Sequence, residues 1–201
     1  MTKPVKALIL DADGVTQSVP LRWLSGWLRM GGPGLFPALV RAEKRTLAGG
    51  LAFEPLIAEV LAERRLDVTV AQVLTYWNRT EIDQTMLALV DRVRAAGVIT
   101  AMGTNQNPAR GRFMLENMPY AEHFDALFHS WQIGYAKPDP AFYTHIVDAL
   151  GVEPGEAVFV DDLPANVRGA RKAGLQAVHF SVLHLHGHLR RQLRTLGVPG
   201  A

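Results

Sequence analysis

Near the N-terminus, "LILDADGVTQSV" (residues 8 to 19) sets two carboxylates, Asp11 and Asp13, two positions apart directly behind an apolar run. Polar side chains follow later apolar runs in the same way. Thr104 and Asn105 come after "GVITAMG", Lys137 after "DALFHS" and the intervening "WQIGYA", and Asp161 and Asp162 after "EAVFV". Carboxylates gathered at one crevice repel each other and desolvate badly unless a cation holds them together. The chain has no cysteine, so that cation must take oxygen or imidazole ligands. An all-oxygen set suits Mg²⁺, which binds a few carboxylates together with a substrate phosphate.

Such a set can run phosphoryl chemistry. With Mg²⁺ and Lys137 offsetting charge, a carboxylate can approach a phosphate dianion as a nucleophile, and water then hydrolyses the aspartyl-phosphate. Asp11, at the rigid end of its run, is the candidate nucleophile. Asp13, beside the flexible Gly14, is placed to protonate the leaving oxygen and later to activate water. Thr104 and Asn105 are candidates to hydrogen-bond the transferring phosphoryl group, and Lys137 to stabilise its charge.

The elements that must position these groups follow from the pattern of apolar runs. "VKALIL", "GVITAMG", "DALFHS", "EAVFV" and "LQAVHF" lack period-2 alternation, as strands covered on both faces do. Helical patterns separate most of them: "DQTMLALVDRVRAAG", "PAFYTHIVDALG" and "LPANVRGARKAG", each closing on Gly. This alternation predicts an α/β fold with a parallel sheet, where ligands bind beyond the carboxyl ends of the strands. The first two strands are roughly 90 residues apart, whereas a βαβ unit takes about 30. Residues 16–80 are therefore read as an inserted helical module, and residues 1–15 and 81–201 as the core domain. Trp23, Trp27, Tyr76 and Trp77 in that module are read either as its own core or as pocket lining.

The remaining composition narrows the class. At 201 residues and 48 % hydrophobic, the chain is long enough for one well-buried core. Its formal charge is +2, with Lys and Arg spread along the sequence, so no nucleic-acid partner is expected. No apolar stretch approaches the roughly 18 residues of a membrane span, and the N-terminal run is too short for a signal peptide; a cytoplasmic location is expected. "NRT" at Asn78 fits a glycosylation acceptor but is read as a chance match. His184, His186 and His188 lie two apart, on different sides of any helix, so a solvated amphipathic helix is preferred there over a zinc site.

Together, "LILDADGV", "AMGTN", "GYAKPDPAFY" and "VFVDDLPANVRGARKAG" resemble, in order, the four motifs of the haloacid dehalogenase (HAD) superfamily, specifically its phosphatases with a small helical cap between the first two motifs. The resemblance covers nearly the whole chain. It implies a doubly wound, Rossmannoid sheet of order 5-4-1-2-3. By that resemblance Asp11 is nucleophile and Mg²⁺ ligand, Asp13 is acid/base and ligates through its backbone carbonyl, and Asp162, with Asp161 in support, completes the metal site. Capping the helix near Leu163 is the other task open to one of that pair. Asn166 is read either as orienting this loop or as a surface helix residue. The chain departs from the usual pattern at Gly103-Thr104, where an aliphatic residue and Ser are commoner, and at Thr16, where a larger apolar residue is common.

The expected activity is Mg²⁺-dependent hydrolysis of a small phosphorylated metabolite by a monomer or homodimer. A 2-haloacid dehalogenase is the enzymatic alternative; that branch typically lacks an acid at the Asp13 position and needs no metal. A phospho-Asp receiver module combines similar residues, but in an order that would not bracket Thr104 and Lys137 between acid pairs. A catalytically silent binding protein on the same fold is the last alternative.

Overall fold

The computed structural model describes residues 3–180 and 186–201. Its centre is a five-stranded sheet of β1 (Ala7–Leu10), β4 (Ile99–Thr104), β5 (Ala126–His129), β6 (Ala157–Asp161) and β7 (Gln176–His179); β2 (Gln17–Ser18) and β3 (Glu81–Ile82) form a separate ribbon. The order is β5-β4-β1-β6-β7, with every neighbouring pair parallel. Read from β7 and counting only these five strands in chain order, this is 5-4-1-2-3, as the resemblance implied.

The absence of alternation in the apolar runs has a direct structural cause. In β1, Leu8 and Leu10 enter one hydrophobic cluster while Ala7 and Ile9 enter another on the opposite face, so neither face can be polar. The first cluster is completed by α5 (Gln84–Ala95), α6 (Pro108–Asn117), α7 (Tyr120–His123) and α11 (His186–Thr195). The second is completed by α9 (Pro140–Leu150) and α10 (Pro164–Lys172). The helices α6 and α7, between β4 and β5, and the one-turn α8 (Ser130–Ile133), after β5, are additions to the helices expected from the sequence.

Between β1 and α5 lie α1 (Trp23–Gly31), α2 (Leu35–Lys44), α3 (Phe53–Glu63) and α4 (Val70–Trp77), which enclose a third cluster centred on Trp27, Leu35, Phe53, Ile57 and Trp77. Gly26 is what lets α1 and α4 close: a Cβ there would stand 1.7 Å from the Tyr76 hydroxyl, which donates to the Trp23 carbonyl at 2.8 Å. The two connections to this helical unit pair as an antiparallel ribbon, β2 (Gln17–Ser18) with β3 (Glu81–Ile82). A Thr69 capping box starts α4, and the Asp83 side chain caps α5 just beyond the ribbon. Among the described residues no helix is long and apolar enough to cross a membrane.

Candidate active site

Because β1, β4 and β6 are parallel and in register, their carboxyl ends bring three motifs to one point. Asp11 follows β1, Thr104 ends β4 and Asp161 ends β6. Lys137, from the segment after β5, reaches in between: its Nζ lies 2.7 Å from Asp11 Oδ1, 2.7 Å from Asp161 Oδ2 and 3.0 Å from the Gly103 carbonyl. All three ionic groups are buried. Burial, reinforced by the neighbouring Asp161 and opposed by Lys137, pushes the Asp11 carboxyl up to about 8. Burial acts downward on Lys137, but Asp11 and Asp161 outweigh it and hold the ammonium above its usual range. One cation thus serves two buried acids, and the excess negative charge is left for a further cation to offset.

Asp162 supplies the third carboxylate. Ligand oxygens of Asp11, Asp161 and Asp162 all lie within 4.8 Å of one another. Burial, then the charge of Asp161, pushes Asp162 up to about 6. This all-oxygen donor set, short of positive charge, fits a hard divalent ion. Gly14 makes room for the Asp162 carboxylate: φ is +80°, and a Cβ there would stand 2.4 Å from Asp162 Oδ2.

The two acids of the pair are not equivalent. Asp161 is engaged on both oxygens: Oδ1 accepts from the Leu163 N–H at 2.8 Å and from Asn166 Nδ2 at 2.9 Å, and Oδ2 accepts from Lys137. It holds Lys137 and the start of α10 together. Asn166 is buried, its Nδ2 on Asp161 and its carbonyl bound by the Tyr143 hydroxyl, so it orients the loop rather than facing solvent. Asp162 lines the open crevice of about 240 Å³ with Asp11, Asp13, Thr104, Asn105 and Lys137.

Three side chains surround Asp13. Gln17 Nε2 and Arg110 Nη2 each donate to Oδ1 at 2.8 Å, and Gln106 Nε2 donates to Oδ2 at 2.8 Å. Desolvation, the largest influence, acts upward, but Arg110 and the two amides outweigh it and hold Asp13 below the usual carboxylate range. Arg110 Nη1 also donates to the Trp77 carbonyl at the end of α4, tying the helical unit to the site.

Sequence reasoning missed Gln17, Gln106 and Arg110. A signal existed: "TNQNPAR" begins a helix at an Asn-Pro cap, and the Arg110 N–H donates to Asn107 Oδ1 at 3.0 Å, which starts α6 directly after β4. Asn105 lines the crevice and also holds the lysine. Its Nδ2 donates to the Lys137 carbonyl at 2.9 Å and its Oδ1 accepts from the Lys137 N–H at 2.8 Å, so both ends of the side chain position the lysine. Thr104 is buried, its Oγ1 accepting from Gln106 at 3.2 Å.

The aromatic residues divide. Trp27 is buried inside the helical unit, whereas Trp23 and Trp77 both belong to its packing and line a cavity facing the core; Tyr76 lies on an outer groove. Of the histidines, His184 lies outside the described residues, and His186 contacts Asp83 at 2.7 Å, fastening α11 beside the ribbon. Among the described residues the one trio placed to hold a metal is Asp11, Asp161 and Asp162.

A parallel sheet of this order, with its acids and lysine converging at the carboxyl ends, defines a hydrolase of the HAD architecture. The chain belongs to that family: residues 5–174 match the haloacid dehalogenase-like hydrolase model. It is 39 % identical over 92 residues to a phosphoserine phosphatase from Thermus thermophilus, covering 45 % of this chain and 37 % of that one. It is 33 % identical over 101 residues to bifunctional epoxide hydrolase 2 of Rattus norvegicus, covering 48 % of this chain and 18 % of that one. The chain therefore spans well under two thirds of these curated relatives. In fold it is similar to a HAD family enzyme from Bacteroides thetaiotaomicron solved with magnesium and inorganic phosphate, with a TM-score of 0.79 at 19 % identity over 92 % of this chain and 98 % of that one.

Proposed function

We propose that the chain is a Mg²⁺-dependent phosphomonoesterase acting on a small phosphorylated metabolite, with residues 16–80 as a cap over the crevice. The observation that carries this reading is the single Lys137 ammonium shared by Asp11 and Asp161, with the Asp162 carboxylate beside them. That arrangement is short of one divalent cation and able to receive a phosphate dianion. The phosphatase and the magnesium-bearing structure among its relatives support the same reading.

Asp11, the Asp13 backbone carbonyl and Asp162 would hold Mg²⁺, with Asp161 behind them. Bound, the ion supplies charge neutralisation and polarises the phosphate oxygens. Asp11 Oδ1 accepts from the Ala12 N–H at 2.7 Å and from Lys137, which fixes the carboxylate plane; among the described residues no donor occupies Oδ2. A carboxylate oxygen of Asp11 attacks phosphorus as the ester P–O bond breaks, and the departing alkoxide takes a proton from Asp13. Asp13, then a carboxylate, removes a proton from water, whose oxygen attacks phosphorus; the Asp11 O–P bond breaks and phosphate leaves. Lys137 and Thr104 face the charge on the transferring group. The Arg110, Gln106 and Gln17 contacts favour the carboxylate form of Asp13, which is the form the hydrolysis step uses; for the first step Asp13 must take up a proton against those contacts.

The test is release of inorganic phosphate from a panel of sugar phosphates, nucleotides and small phospho-acids, with and without Mg²⁺. Release that requires Mg²⁺ and is lost in Asp11→Asn supports the reading. Halide release from 2-haloacids without Mg²⁺, and no phosphate from any ester, would overturn it in favour of the dehalogenase alternative.

A further inference from the structure

A cavity of about 260 Å³ lies between the helical unit and the core and adjoins the catalytic crevice, sharing Asp13 and Asn105 with it. A phosphoester seated at Asp11 would send its alcohol portion into this space. One wall is aromatic: Trp23 and Phe36 meet edge to face at 4.9 Å between centroids, and Phe36 and Trp77 lie 5.8 Å apart. Glu43, from α2, lines the same cavity beside Trp77.

Glu43 is the unexplained group. Its Oε1 accepts from Asn107 Nδ2 at 2.7 Å, and the Trp77 side chain also hydrogen-bonds it; both partners are neutral. The cation on the same wall, Arg110, is committed to Asp13 and to the Trp77 carbonyl. Among the described residues no cation forms an ion pair with Glu43, although buried charges are ordinarily paired. Burial accordingly pushes its carboxyl up to about 7. With Arg110 balanced by Asp13, ionised Glu43 leaves the cavity with an excess negative charge beside indole and phenyl rings. That combination attracts an ammonium group, which gains from the π faces and from the carboxylate together. A cavity of about 150 Å³ accommodates one benzene ring, so the space here suffices for a trimethylammonium head and a short spacer.

Resting on the phosphatase reading, we infer that Glu43, Trp23, Phe36 and Trp77 form a cation-recognising subsite, and that the substrate is the phosphate ester of an amino alcohol, quaternary amines included. The mechanism above assigns none of these four residues. Asn107 fixes Glu43 from the core side, so the subsite is assembled only when the cap sits on the core.

The experiment compares phosphocholine with its neutral carbon isostere, in which the trimethylammonium is replaced by tert-butyl. The two have the same shape and differ in charge. With Mg²⁺ present, wild-type kcat/KM for phosphocholine is expected to exceed that for the isostere by about tenfold or more, the scale of a desolvated cation–π and carboxylate contact. In Glu43→Gln, which keeps the acceptor for Asn107, that ratio falls toward one. Equal or better turnover of the isostere by the wild type overturns the proposal in favour of an apolar leaving group, and so does a ratio that survives Glu43→Gln. Hydrolysis of p-nitrophenyl phosphate reads the phosphatase reading separately. Choline alone, titrated by tryptophan fluorescence, reads the subsite whether or not any ester is cleaved. Quenching that weakens about tenfold in Glu43→Gln supports the subsite, and no quenching in the wild type overturns it.

Discussion

Arg110 Nη2 stands 2.8 Å from Asp13 Oδ1 while Nη1 of the same guanidinium donates to the Trp77 carbonyl, so one side chain joins the expected acid/base to the last turn of the helical unit. The guanidinium is buried and its carboxylate partner is half-exposed. Arg110→Met strips a donor from both. The expected loss is about 2 kcal/mol of stability, below the 3–5 of a fully buried pair because water reaches Asp13. Urea denaturation measures it, and phosphate-release assays should show kcat falling with it. Arg110→Lys, able to satisfy one partner at a time, should recover part of the loss.

The metal-free protein should become less stable as pH rises from about 4 to about 8. The Asp11 carboxyl lies near 8 in the folded chain against an ordinary 3.8. The folded state therefore holds a proton that the unfolded state has lost across that window. The stabilisation is complete below the lower value and gone above the upper one. Thermal melts in a chelator from pH 5 to 8.5 should show the decline. Asp11→Asn should make the decline shallower, leaving the part due to Glu43 and Asp162, and a wild-type profile rising across this range would contradict the assignment.

Gly14→Ala should damage the metal site before it damages the fold. At φ +80° the new Cβ is strained by about 1–3 kcal/mol. It would also stand 2.4 Å from Asp162 Oδ2, so that carboxylate must turn away. The Mg²⁺ concentration for half-maximal phosphate release is expected to rise at least about tenfold, with circular dichroism unchanged.

Asn166→Ala removes the amide that holds both oxygens of Asp161, at 2.9 and 3.2 Å. Asp161 then loses its fixed orientation toward Lys137. Second-layer partners of this kind are worth about 10–100-fold, so kcat should fall by that factor with little change in KM. Asn166→Asp, which adds a fourth carboxylate beside the cluster, should be worse than alanine.

Much of this was legible in the chain. The five apolar runs lacked alternation because both sheet faces are covered, and Asp11, Thr104 and Asp161 stood out because polar residues ending such runs must lie at one edge of a parallel sheet. The excess length after Asp13 announced an inserted helical unit. These features are local: each depends on residue type, spacing and the strand's own geometry.

The contacts that complete the site are not local. Asp13 and Arg110 are 97 positions apart and Glu43 and Asn107 are 64, and nothing in either residue's neighbours names the other. The sequence does not show that the segment after β5 lays the Lys137 backbone across the Asn105 amide. Asp161 and Asp162 are equivalent in the sequence; the strand's alternation turns one inward to Lys137 and Asn166 and leaves the other on the crevice. Residue types and their order therefore determined which chemistry the chain could carry. Folding decided which acid serves the lysine, which faces the crevice, and which carboxylate of the helical unit forms no ion pair among the described residues, because side-chain direction and burial are set by packing between segments far apart in the chain.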